Sequence, residues 1–182
     1  MVPQEHMLRS LFHELVEDCY LQRAGLDDGE IAAYVADLLT DFTENERIYL
    51  LRDEVGRPVR DLDAMLTAAD PIHGTAASFD AERMARKQIG DYALFFAGMY
   101  PEAIGVSTRP ISFERLVETG RDSYAIVAAF NLFEYAREAP LFERLSAKFE
   151  TCIYGLNLVR QELDRRRALT GGKPTPPQQY LM

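Results

Sequence analysis

The chain has 182 residues, 47% of them hydrophobic, 10% aromatic and 27% charged. That is enough material for one globular domain, and it excludes disorder, a collagen repeat or a lone coiled coil as whole-chain descriptions. The formal charge of −9 is carried entirely by residues 1–63, where 15 acids face 6 arginines, whereas residues 64–182 hold 14 of each sign. Such a surface repels phosphate backbones and anionic lipid heads, so neither nucleic acid nor membrane is an expected partner.

Helical periodicity starts at once. Leu8, Leu11, Phe12, Leu15 and Cys19 form one stripe of a helix spanning Pro3–Gln22, stopped by Gly25. Asp27 with Glu30 three residues later reads as a capping box, with Leu26 stapling to Ile31. The second helix carries Ile31, Tyr34, Val35, Leu38, Leu39 and Phe42 on one face. Between residues 45 and 60 the pattern fails. Ile48 to Leu51 either prolong the helix or form a short strand, and the turn residues Asp53 to Gly56 with the helix-breaking Pro58 allow at most one short β-hairpin near 48–59. A short helix, Leu62–Ala69, ends at Asp70-Pro71, and His73-Gly74 sits in the loop after it.

Ser78 caps a long helix to Met99 with the stripe Ala81, Met84, Ala85, Gln88, Tyr92, Phe95, Phe96 and Met99. Gly90, Ala93 and Ala97 add a line of small residues that lets a neighbouring helix come close. After a connection at Pro101 and residues 105–110, Ser112 caps a helix whose face is Phe113, Leu116, Val117, Gly120, Tyr124, Val127 and Ala128. Residues 131–139 either continue it or form a separate short helix. Pro140 opens a last helix, Leu141–Arg167, in which Leu145, Phe149, Cys152, Leu156, Val159 and Leu163 recur at heptad spacing. A second apolar line through Phe142, Ile153 and Tyr154 favours a bundle helix over a free coiled coil. The fold class is all-α, a single bundle domain of five to six helices over 1–169, with a flexible Pro/Gly-rich tail over 170–182.

Candidate chemistry is sparse. His13 and Glu17 lie one turn apart and, with Asp91, make a candidate metal site beside Glu14 and Asp18; the bland alternative is a solvated face with an ion pair. A carboxylate-bridged di-iron centre needs two Glu-x-x-His pairs, and none of His6, His13 and His73 has an acid three residues before it. Gln88, Tyr92, Tyr124 and Asn157 are polar groups on apolar faces, which either bond to one another and fix helix register or line a small-molecule pocket. Cys19 and Cys152 make no disulfide or zinc pattern and read as small hydrophobes. There is no Gly-x-Ser-x-Gly elbow, and Gly171-Gly172-Lys173 lacks the spacing of a phosphate loop. Arg165-Arg166-Arg167 either offsets a helix dipole or binds an anion. The tip Gln178–Met182 is either uncommitted or docks on a partner.

Segments 89–102, 120–124 and 152–160 (IGDYALFFAGMYPE, GRDSY and CIYGLNLVR) resemble a group of bacterial helical proteins without an assigned activity. The resemblance implies a bacterial cytosolic protein and carries no site residues. No signal-peptide pattern opens the chain and no apolar run reaches the ~18 residues of a membrane helix, so a cytoplasmic location is expected. The expected function is that of a non-enzymatic interaction or adaptor protein without a cofactor. Its partner is a second copy bound through Leu145, Phe149, Leu156, Val159 and Leu163, or another protein. The alternatives are a metal- or small-molecule-binding helical protein using His13, Glu17 and Asp91, and an acidic inhibitor of a basic partner.

Overall fold

The computed structural model describes residues 4–43, 48–53, 55–104 and 111–172. The expected helix start at Pro3, the connection at 105–110, and Lys173 with the tail tip lie outside them. Seven α-helices are present among the described residues: α1 Gln4–Glu17, α2 Gly29–Thr43, α3 Leu62–Ala69, α4 Phe79–Met99, α5 Phe113–Ala129, α6 Ala139–Ala147 and α7 Phe149–Leu169. The all-α class holds. The helix count exceeds six because the expected Leu141–Arg167 helix breaks at Lys148 (φ −108, ψ 19). The break lets α6 run along α5 while α7 turns away to cross α4.

Local signals set most of the boundaries. Ser78 Oγ accepts from the Ala81 N–H at 3.1 Å, Ser112 Oγ from Arg115 at 3.1 Å, and Asp61 from Ala64 at 2.9 Å, so three helices begin on side-chain caps. The cap of α2 is Asp28, not Asp27: its Oδ1 accepts from the Ile31 N–H at 3.2 Å. The expected capping box is therefore absent, and Glu30 pairs instead with Arg144 of α6, which also holds Asp28 Oδ2 at 2.8 Å. One guanidinium thus fastens α6 to the start of α2. Burial alone would raise the Asp28 pKa, but its bonds to Arg144 and the Ile31 amide and the charges of Arg144 and Lys148 outweigh it and leave the carboxyl below its usual value.

The first helix closes with a π-helical turn over Asp18–Arg23 and stops at Gly25, whose φ of +68 only glycine adopts cheaply. Tyr20, in that turn, is fully buried over Gly155 and donates to the Cys152 carbonyl at 2.7 Å. At 48–59 no strand forms among the described residues. A single antiparallel bridge joins Arg52 and Pro58 around Gly56, too little pairing for an independent hairpin. Residues 131–139 form a separate 3-10 turn, Phe133–Arg137, rather than a continuation.

The core is built around α4, which packs on α3, α5 and α7. From Ile89 to Tyr100 only Tyr92 keeps appreciable exposure, as expected of a helix surrounded on all sides. Its small residues set the spacing: a Cβ at Gly90 would lie 2.4 Å from the Tyr124 ring, and one at Gly98 2.5 Å from Leu156. Across the same interface, a Cβ at Gly120 would lie 2.5 Å from both Ala93 and Phe149. The expected stripe needs one correction, because Met84 is 68% exposed.

The heptad residues Leu145, Phe149, Cys152, Leu156 and Val159 are buried within the chain itself, and Leu163 is partly buried against the same core. At the far end of α7, Glu162 accepts from Arg165 at 2.6 Å and Arg166 at 3.0 Å. These bonds hold its carboxyl down at about 2. A depressed carboxylate stabilises above its unfolded pKa and loses that contribution as the pH falls through the folded value. A carbon-detected NMR titration is therefore expected to leave Glu162 ionised at pH 4, where free Glu is about two-thirds protonated, with its midpoint near 2. A midpoint in the usual Glu range would show that the arginine clasp does not persist in solution.

Candidate functional site

Two of the concave places that carry polar groups stand out, one between α2 and α4 and one between α5 and α7. The first lies between α2 and α4. Asp91, 4% exposed, is the buried carboxylate at its base. Its Oδ1 accepts from the Tyr34 hydroxyl at 2.5 Å and from the Tyr124 hydroxyl at 2.7 Å, and its Oδ2 receives the Lys87 ammonium at 2.9 Å. Lys87 also lies over the Tyr34 ring, 5.2 Å from its centroid. Burial, then the Asp91 charge, pushes both phenols well above the usual tyrosine value, so they act as donors and not as bases. The carboxylate is fully engaged, and the arrangement joins α2, α4 and α5.

A cleft of about 470 Å³ opens above this base, lined by Tyr34, Asp37, Asp41, Lys87, Gln88 and Asp91 among others. At its rim Asp37 accepts from His13 at 2.8 Å and pairs with Arg9 at 3.0 Å. The sequence-derived metal trio is therefore spread out: His13 turns to Asp37, Glu17 is exposed, and Asp91 is enclosed by tyrosines and Lys87. Among the described residues, no group of three or more His, Cys, Asp or Glu side chains is placed to hold one ion.

The four polar groups flagged on apolar faces do not meet. Gln88 donates its Nε2 to the Ile48 carbonyl, anchoring the segment after α2. Tyr92 packs on Tyr49 and Phe96, with ring centroids 6.1 and 4.7 Å away. Tyr124 reaches Asp91, while Asn157 faces a groove elsewhere. Lys87 and Tyr34 were missed by the sequence reading as partners of Asp91. The Lys87–Asp91 spacing of four along one helix was the available signal, whereas Tyr34 looked like one more member of an apolar stripe.

The second place is a groove between α5 and α7, also about 470 Å³. Its floor is Val117 and Ile153, and the rings of Phe113 and Tyr154 stand at its edges, 40% and 52% exposed. Phe113 thus departs from the fully buried face expected for its helix. Glu114, Glu118 and Glu150 rise around the floor with Arg121. None of the three glutamates is ion-paired among the described residues, and Arg121 has only Asp122 at 3.7 Å. By contrast, many acids of the first 63 residues are committed: Asp28 and Asp61 to caps, Asp53 to a turn, and Asp37 and Asp63 to ion pairs.

Among the described residues, no Ser, Thr, Cys or His lines either place. Burial raises both thiols, Cys152 to about 12, which makes them poor nucleophiles. Arg165 and Arg166 are taken up by Glu162 rather than presented together as an anion site. No helix of the described residues is long and apolar enough to cross a membrane. No family model, curated protein or solved structure matches this chain.

Proposed function

We propose that this chain is a non-enzymatic interaction protein and that its docking surface is the groove between α5 and α7. The observation that carries the reading is the exposure of Phe113 and Tyr154 around an apolar floor, with three glutamates uncommitted beside them. Exposed aromatics at the edge of a preformed apolar concavity are the kind of group that dominates binding energy. The heptad seam is not used for docking, because its residues already fill the core of one chain. The partner is a segment of a different protein, and the two unpaired core thiols are in keeping with a cytoplasmic setting.

Panning a displayed random-peptide library on the intact chain tests this. Sequences that are enriched on the wild-type chain and lost on Phe113→Ala and Tyr154→Ala support it. No enrichment, or enrichment indifferent to both changes, overturns it.

A second reading, a small-ligand site between α2 and α4, is favoured by the cleft over Asp91. Elemental analysis together with a thermal-shift screen of small amines and metals separates the two. A ligand whose stabilisation vanishes in Asp37→Asn would move the function to that cleft, while no shift would leave the groove as the working surface.

A further inference from the structure

We infer that the segment seated in the α5–α7 groove is a cationic amphipathic α-helix; this rests on the docking role proposed above. An apolar floor bordered by Glu114, Glu118 and Glu150, with Arg121 as the single cation, is complementary to a segment with one apolar side and Lys or Arg on its flanks. A second copy of this chain is a poor occupant. A two-fold pairing of grooves would set each glutamate rim against itself, on a molecule whose formal charge is already −9. An extended strand would find no sheet edge to join, since no strand exists among the described residues.

The walls also fix the length of the occupant. Phe113–Arg121 on α5 and Glu150–Asn157 on α7 line the groove, and each spans roughly 10–12 Å at ~1.5 Å per residue, about two helical turns. That length accepts apolar anchors at i, i+3 or i+4, and i+7. Cations on either side of this stripe then reach Glu118 on one wall and Glu150 on the other.

Fluorescence anisotropy of the full chain with three labelled synthetic peptides is the test. The peptides are an amphipathic Leu/Lys helix, its Leu/Glu counterpart, and a scrambled Leu/Lys sequence without a single apolar face. The Leu/Lys helix is expected to bind best. The triple substitution E114K/E118K/E150K is expected to weaken it by about tenfold, and the control E17K/D18K/E143K, on other exposed positions, by no more than about twofold. Phe113→Ala and Tyr154→Ala alter exposed rings, so their loss of binding can be read without a loss of fold.

Equal weakening by the two triple substitutions, or equal binding of the scrambled peptide, would reduce the effect to general attraction to an acidic protein and overturn the inference. Tightest binding by the Leu/Glu helix, still sensitive to Tyr154→Ala, would keep the docking role and reject the cationic class. Indifference of every peptide to both aromatic substitutions would remove the docking role itself.

Discussion

Phe149→Ala is expected to destabilise the chain by about 3–5 kcal/mol, and the difference from the parent is expected to be the same at every protein concentration. The ring is 1% exposed and packs 5.7 Å from the Tyr124 centroid. It also fills the space over Gly120, where a Cβ would come within 2.5 Å of it. Truncation leaves a cavity walled by fixed helices, so the lost transfer energy and the cavity term add. Because Phe149 lies on the heptad seam, the measurement also reports which chain the seam faces. A seam shared between two copies would make stability rise with concentration, and the substitution would erase that dependence. Urea unfolding over a hundredfold range of concentration decides. A cost that grows with concentration would place the ring's packing between copies, and a constant cost below about 1 kcal/mol would show that no such cavity forms. Leu163→Ala, at the partly buried end of the same seam, is expected to cost less.

The same seam shows where sequence reading reaches its limit. Spacing reports that one face of a helix is apolar, and it reported that correctly for Leu145 through Val159. It carries no label for what covers that face, since a partner's helix and the chain's own α4 would bury the same stripe. Nor does any residue near Lys148 announce a break. That break arises because α6 must follow α5 while α7 crosses α4, a requirement set by residues far away in the chain.

Caps behaved differently, because they are local. Ser78 and Ser112 begin their helices where the sequence placed them. Asp27 and Asp28 are equivalent to a local rule, and the choice between them falls to Asp28, which Arg144 holds from 116 positions away. Polar side chains are the least legible of all. Gln88, Tyr92, Tyr124 and Asn157 share the property of lying on apolar faces, but their partners are an Ile48 carbonyl, aromatic rings, a carboxylate and a groove. The groove itself depends on how deeply α5 and α7 interlock. The identities of Phe113 and Tyr154 suggest burial; only packing leaves them half in water.

Asp91 is the polar group on which most of that packing converges, and Asp91→Ala is expected to cost about 2–4 kcal/mol. The estimate takes about 1–2 kcal/mol for each of the two tyrosine hydroxyls left without an acceptor. Lys87 adds little to it: its side chain is 38% exposed, and water can solvate the released ammonium. Asp91→Asn should be milder, since an amide oxygen still accepts from Tyr34 and Tyr124 and only the contact with Lys87 is lost. Tyr34→Phe and Tyr124→Phe each remove one donor from the same Oδ1, so their double-mutant cycle should be non-additive; the second removal is the dearer, because it strips the buried oxygen of its last tyrosine donor. Urea midpoints with unchanged slopes would give these differences directly. If Asp91→Ala lost no more than Asp91→Asn, the hydroxyls would have found other acceptors or water. The three-helix junction would then be held by the fit of Tyr124 over Gly90, where an added Cβ would come within 2.4 Å of the ring, and not by its polar centre.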